Sequence, residues 1–240
     1  NFGAKGDGLT DDTKAFQDAA AAGGSTLIPA GKYIINARIF VTKNSTVFKG
    51  EGSGLTTLYF PKSIQDLEGG CCYGQGPGLI QITASDVGME GFTIEFPPTN
   101  YLGHWNEKGY NGIEAEYDYK NLWFRDITVI NSDTAILLSG TDQSTLDGIR
   151  LQGRYGHHGI DLHFQADRNF VTNFIVEADF MHDITVQQSS YNVFSKGKGM
   201  ADFQFDHHAW SPTPAHHNLF TDIDCGVCAN PWASGGAADQ

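Results

Sequence analysis

A short polar signature that returns at nearly constant intervals constrains this chain more than any other feature. The segments Asn121-Leu122-Trp123-Phe124, Ser144-Thr145-Leu146-Asp147, Asn169-Phe170-Val171-Thr172, Asn192-Val193-Phe194-Ser195 and Asn218-Leu219-Phe220-Thr221 succeed one another at spacings of 23, 25, 23 and 26 residues. A period of that length means stacked repeats, because one such unit cannot bury its own apolar face. Each repeat holds a first alternating segment, as in Ile127-Thr128-Val129, Ile149-Arg150-Leu151 and Phe174-Ile175-Val176. A second follows in Ala135-Ile136-Leu137-Leu138-Ser139, Gly159-Ile160-Asp161-Leu162-His163, Asp183-Ile184-Thr185-Val186-Gln187 and Asp202-Phe203-Gln204-Phe205-Asp206, with an earlier copy in Gly112-Ile113-Glu114-Ala115-Glu116. Apolar residues at every second position mark a strand with one buried face. The repeat is too short for a propeller blade and lacks the spacing of leucine-rich repeats. The chain therefore reads as all-β, a right-handed single-stranded parallel β-helix whose coils stack about 4.8 Å apart. The recurring Asn falls at a turn, where stacked side chains can hydrogen-bond from coil to coil.

The first residues break this pattern. Thr10 to Gly23 combines capping residues, an Ala-rich body around Phe16 and a terminal Gly, which predicts a short helix. Such a helix would plug the open end of the solenoid and cover its first edge. We expect one domain over 1–240: an N-terminal motif and capping helix over 1–24, coils over 25–232, and a small-residue, flexible tail over 233–240. No matching cap is visible at the far end, so the final coil needs a loop, a partner copy or further sequence to cover it. Self-association through that end is the corresponding expectation.

A hydrophobic fraction of 40% with 12% aromatic residues excludes intrinsic disorder, and no apolar run is long enough for a membrane-spanning helix. Lys+Arg 15 against Asp+Glu 28 gives a net charge of -13, which argues against nucleic acid and anionic membranes as partners. The cysteines form a vicinal pair, Cys71 and Cys72, and a Cys-x-x-Cys, Cys225 and Cys228. Local disulfides in a secreted protein suit that spacing, and the sequon Asn44-Ser45-Thr46 fits the same compartment. A zinc site would need the two pairs to meet.

The opening residues Asn1-Phe2-Gly3-Ala4-Lys5-Gly6-Asp7-Gly8-Leu9-Thr10-Asp11-Asp12-Thr13 resemble the N-terminal motif of the pectate lyase superfamily of β-helix proteins. Gly103 to Asn111 and Asp206-His207-His208 resemble segments of its lyase-like members. The resemblance implies a parallel β-helix and a polysaccharide substrate. It does not choose a reaction, since that scaffold carries lyases, hydrolases, epimerases and non-catalytic adhesins.

If Ile136, Leu138, Ile160, Leu162, Ile184, Val186, Phe203 and Phe205 point inward, the residues between them form columns on an outer face. One column is Glu114, Leu137, Asp161, Thr185, Gln204; the next is Glu116, Ser139, His163, Gln187, Asp206; a third is Gly112, Ala135, Gly159, Asp183, Asp202. His158 and His182 flank them, with His157 beside the first and His208 just beyond Asp206. Stacked acids repel one another, so such columns suit a metal, a proton or a ligand. Asp161 and Asp183 would stand roughly 8 Å apart, within the separation of about 6.5–9.5 Å that inverting glycosidases use. Asp183 and Asp202 would be about 5 Å apart.

A β-eliminating lyase instead needs a base, an acid and something to neutralise the uronate. His158, His182, His163 and Tyr110 are the candidate proton carriers, with Asp161, Asp183 and Asp202 as catalytic or Ca²⁺-binding carboxylates. Glu114, Glu116, His104, Trp105, Asp206, His208 and Arg154 are the candidate substrate contacts. Trp105, Tyr110, Trp123, Tyr155 and Trp210 offer rings for sugar stacking. The expected function is a polysaccharide lyase acting on a uronate-containing glycan. Hydrolysis by paired Asp carboxylates and a non-catalytic, end-to-end assembling β-helix are the alternatives.

Overall fold

The computed structural model describes residues 2–71, 73–200, 203–205, 207 and 214–226. These residues form parallel strands in a twelve-stranded and a seven-stranded sheet, with every named pairing parallel. The strand Trp123–Ile130 lies between Gly88–Glu95 and Thr145–Gln152 in the larger sheet. Thr134–Ser139 lies between Ile113–Ala115 and Gly156–His163 in the smaller. The expected alternation holds in the smaller sheet: Ile113, Ile136, Ile160, Ile184 and Phe203 stack in register, and all are buried.

The polar signature forms a ladder at one turn. Ser144 N–H donates to Asn169 Oδ1 and Asn169 N–H to Asn192 Oδ1, each at 2.8 Å, and Asn192 N–H donates to Asn218 Oδ1 at 2.9 Å. Register corrects the first rung. Trp123 pairs with Thr145, so Leu122 aligns with Ser144, and Leu122 N–H indeed donates to Ser144 Oγ. Asn121 sits one place earlier with φ 58°, in column with Gln143, Arg168, Tyr191 and His217, all left-handed. Asn tolerates that conformation as readily as it serves the ladder, which is why the sequence alone slips by one residue here.

The N-terminal helix spans Thr13–Ala22 and lays Phe16, Ala19 and Ala20 over the first coil, with the Phe16 ring 5.4 Å from Tyr33 and 6.3 Å from Phe48. Asp12 precedes it without capping it; its buried carboxylate accepts the N–H groups of Lys5 and Gly6. Asp7 likewise accepts Leu9 and Thr10 N–H, which holds its carboxyl down at about 2. The N-terminal motif is thus a pair of carboxylate-clamped turns that feed the helix. The expected last residues of the coils, 227–232, and the expected tail over 233–240 lie outside the described residues, as do Cys72, Cys228 and Trp210. Cys71 and Cys225 are both disulfide-bonded.

Two segments between strands fold back over the seven-stranded sheet. Residues 63–78 contain a short helix, Ile64–Glu68, closed by a capping box between Ser63 and Asp66. Residues 97–111 run beside them, joined by Ile64 N–H to Gly109, Gln65 N–H to Lys108 and Tyr73 N–H to Glu107 carbonyls. Buried Asp133 pins this cover from below: Oδ2 accepts Gly109 and Tyr110 N–H at 2.9 Å, and Oδ1 accepts Arg154 at 2.6 Å.

Candidate active site

The outer columns form in the order expected from alternation. Glu114, Leu137, Asp161, Thr185 and Gln204 are successive register partners, and so are Ser139, His163 and Gln187. The third column does not join them. A Cβ at Gly112 would approach Val129, and one at Gly159 would approach Leu151, both core side chains. That position therefore faces inward, and Asp183 follows it. Its Oδ2 accepts Met200 N–H at 2.6 Å beside Gly199 and the Phe203 ring, where it closes a turn. Asp161 and Asp183 thus do not share a face, and neither the paired-Asp hydrolase geometry nor a Ca²⁺ site bridging them forms. Asp202, Asp206 and His208 lie outside the described residues.

The inversion recurs from coil to coil, at Gly112, Ala135, Gly159 and Asp183, while register is kept on either side of it, His158 with His182 and Ile160 with Ile184. The N–H groups of His157 and His158 both point to the Asp133 carbonyl, at 2.7 and 3.3 Å. His158 then projects outward in column with Thr134 and His182, and shares a 2.8 Å hydrogen bond with the Thr185 hydroxyl. Its Nδ1 is 3.7 Å from Asp161 Oδ2. Burial holds the His158 imidazole well below its ordinary pKa, and the neighbouring His157, His182, His207 and His163 push the same way.

The covering segments bury what an open face would expose. Asp161 is fully inaccessible, with Gln75 Nε2 3.5 Å from Oδ2 and His163 Nδ1 3.8 Å away on the other side. Asp161 Oδ1 and His163 Nε2 are buried without a hydrogen-bond partner among the described residues. Glu114 accepts Gly78 N–H at 2.8 Å, and burial raises its carboxyl pKa above the ordinary value. Gln81 Nε2 bridges it to Glu116, at 3.3 and 2.9 Å.

Where the cover ends, a cleft of about 220 Å³ opens over Gln75, Glu114, Glu116, Tyr117, Ser139 and His163. It adjoins a groove of about 610 Å³ lined by Lys120, Asp142, Gln165, Asp167 and Arg168. Tyr117 and Phe164 line both, with rings stacked at 6.3 Å and exposures of 55% and 42%. These two rings, with Gln75, Lys120 and Arg168, are the members sequence reasoning missed. The signal was two exposed aromatics at turns two coils apart with Gly140 between them, visible only once the register is known.

Other expected residues serve elsewhere. Tyr110 is a core residue packed 5.9 Å from Phe96, its phenol pushed up by burial, so it is not a surface proton donor. Arg154 is committed to Asp133 and to the Tyr155 carbonyl beneath the cover, so it is not a free substrate contact. His182 packs in a stack of imidazoles, 5.2 Å from His158 and 4.7 Å from His207, away from the cleft lining. His104 joins His157 at 2.9 Å, and Trp105 projects beside it, 64% exposed.

Comparisons with known proteins agree with this architecture. Residues 1–70 match the family model described as rhamnogalacturonase A/epimerase, pectate lyase-like. That match covers less than a third of the chain, and the similar solved structures share its parallel β-helix fold. Among solved structures, this β-helix is similar to the A-module of mannuronan C-5 epimerase AlgE6 from Azotobacter vinelandii, at TM-score 0.66 and 19% identity over 92% of this chain and 63% of that one. The catalytic domain of a GH87 α-1,3-glucanase gives TM-score 0.59 at 14% identity, covering 90% of this chain and 37% of that one. Among curated proteins, a preneck appendage protein of Bacillus phage PZA is 38% identical over 63 residues, 26% of this β-helix and 7% of the phage protein.

Proposed function

We propose that this β-helix is a secreted polysaccharide lyase that cleaves a uronate-containing glycan in the cleft beside His163. The observation that carries the reading is a histidine and a tyrosine, His163 and Tyr117, lining one cleft over a buried carboxylate, Asp161. In this reading His163 removes the sugar C5 proton. Asp161 positions the ring and offsets the charge it gains; its 3.8 Å separation closes when substrate binds. Tyr117 gives a proton to the leaving glycosidic oxygen as the C4–O bond breaks and the C4–C5 double bond forms. Lys120 and Arg168, the latter paired with Asp142, line the adjoining groove and offer cations to the acidic sugar. The stacked faces of Tyr117 and Phe164 hold the sugar rings. The similarity to a mannuronan epimerase supports a uronate substrate.

One observation favours hydrolysis instead. Glu114, its carboxyl pKa raised, and Glu116 share the cleft and the Gln81 amide, a pair of carboxyl groups of the kind glycoside hydrolysis uses. The products separate the two. A panel of neutral and uronate polysaccharides, assayed for ultraviolet absorbance and for new reducing ends, shows absorbance that His163→Ala removes and Glu114→Gln spares if elimination is the reaction. Reducing ends without absorbance, lost in Glu114→Gln, replace it with hydrolysis. Silence in both channels with concentration-dependent assembly makes the protein structural, as the phage appendage similarity would suggest.

A further inference from the structure

A second cluster lies on the other side of the covering segments and plays no part in the cleft. His104 and Glu107 stand three apart on the segment 97–111, and His157 reaches them from the strand Gly156–His163 beneath. We propose that His104, Glu107 and His157 form a binding site for a divalent transition metal, with Zn²⁺ as the preferred ion. The inference is independent of the lyase reading, because none of the three residues lines the His163 cleft.

Geometry is the first support. One ligand atom from each of the three side chains lies within 4.8 Å of the others. His104 Nδ1 is 2.9 Å from His157 Nε2, His157 Nδ1 is 3.1 Å from Glu107 Oε1, and His104 Nδ1 is 4.0 Å from Glu107 Oε1. Tetrahedral Zn²⁺ with N and O ligands at about 2.0–2.1 Å sets its ligand atoms roughly 3.4 Å apart. His157 gives the ion a single nitrogen, so its 2.9 and 3.1 Å separations, made by different nitrogens, are not both ligand edges; rotation of the partly exposed His104 ring brings one atom from each residue, already within 4.8 Å, onto a common centre. Two imidazoles and one carboxylate suit zinc, whereas Ca²⁺ and Mg²⁺ prefer all-oxygen cages.

Two further observations point to a ligand. Glu107 is buried, yet its Oε2 has no hydrogen-bond partner among the described residues, a costly state for a carboxylate oxygen beside two imidazoles. Space is also kept open: a Cβ at Gly74 would lie 2.7 Å from His157 Nδ1 and 3.0 Å from Glu107 Oε1. Gly74 thus leaves a gap between two of the donors that any other residue would fill. Tyr101 donates to Glu107 Oε1 at 2.7 Å and fixes the carboxylate in place, as outer-sphere partners of metal ligands do. Three protein ligands leave one position for water. The ion fastens the segment 97–111 to the sheet, holding shut the cover over His158.

Chelator-stripped full-length protein titrated calorimetrically with ZnCl₂ tests the site, with Co²⁺ absorption as a spectroscopic second readout. One equivalent binds, the melting temperature rises, and Co²⁺ gives the intense visible bands of a four-coordinate centre. His104→Ala leaves the fold intact, because that ring is partly exposed, and weakens binding by at least about 100-fold, the upper figure for losing an outer-sphere partner. Gly74→Ala does the same by filling the gap, and His216→Ala changes nothing. No uptake by the wild-type chain overturns the proposal, and so does uptake that survives both His104→Ala and Glu107→Gln or that His216→Ala abolishes.

Discussion

Asn192 reaches back one full coil to Asn169: its Oδ1 accepts the Asn169 backbone N–H at 2.8 Å, and its amide donates to the Ala166 carbonyl at 2.9 Å. One side chain thus satisfies two buried backbone groups of the preceding turn, and Asn218 does the same for Asn192 and Ser189. The turn is held by this stack and by the left-handed residue before each rung.

Asn192→Ala leaves the Asn169 N–H and the Ala166 carbonyl buried without partners, at about 1–3 kcal/mol for each such group. The expected loss is about 2–6 kcal/mol in chemical denaturation. Stability within about 0.5 kcal/mol of wild type, the range of ordinary surface substitutions, would contradict the ladder's role.

Arg154 belongs to the scaffold and not to substrate recognition. Its 2.6 Å pair with Asp133 is almost fully enclosed, and removing one partner of such a pair costs about 3–5 kcal/mol. Arg154→Ala should therefore lower the melting temperature steeply, while the KM of the protein that remains folded stays at the wild-type value. A raised KM without loss of stability would return Arg154 to the binding surface.

Phe164 gives the complementary result. Its ring is exposed and stacks on Tyr117 at the junction of cleft and groove. Phe164→Ala should leave the fold intact and raise KM roughly three- to tenfold, the value of one aromatic contact. His163→Gln, which keeps most of the volume of this buried ring, should lower kcat by about 10²–10⁴ at near wild-type stability. Comparable loss of stability in the two variants would assign both to packing.

Glu114 predicts a pH dependence of stability. Burial raises its carboxyl pKa above the ordinary 4.5, so the folded chain holds this proton more tightly than the unfolded chain. Stability contributed by this group is complete below 4.5 and declines as pH rises through the folded value. Glu114→Gln removes that decline, keeps an acceptor for Gly78 N–H, and should be more stable than wild type at neutral pH, with the difference vanishing in acid. Denaturation curves across that range measure it; a difference that grows on acidification has the opposite sign and refutes it.

The sequence by itself determined the coil. Period-two alternation in Ile136, Ile160 and Ile184 places each strand's inner face, and the recurring Asn places its turn, because both patterns follow from geometry within one repeat. It also determined the columns of Asp161 and His163, since parallel register is carried by that alternation. The tertiary structure decided what those columns face. Asp183 turns inward as the same position does in the earlier coils at Gly112 and Gly159, a departure that two-residue alternation does not announce. Two covering segments, from coils far earlier in the chain, then sealed Asp161 and His158 and took Tyr110 and Arg154 into the interior. Whether an outward residue meets solvent, a neighbouring turn or a distant segment depends on contacts between residues many coils apart, and those contacts exist only in the folded chain.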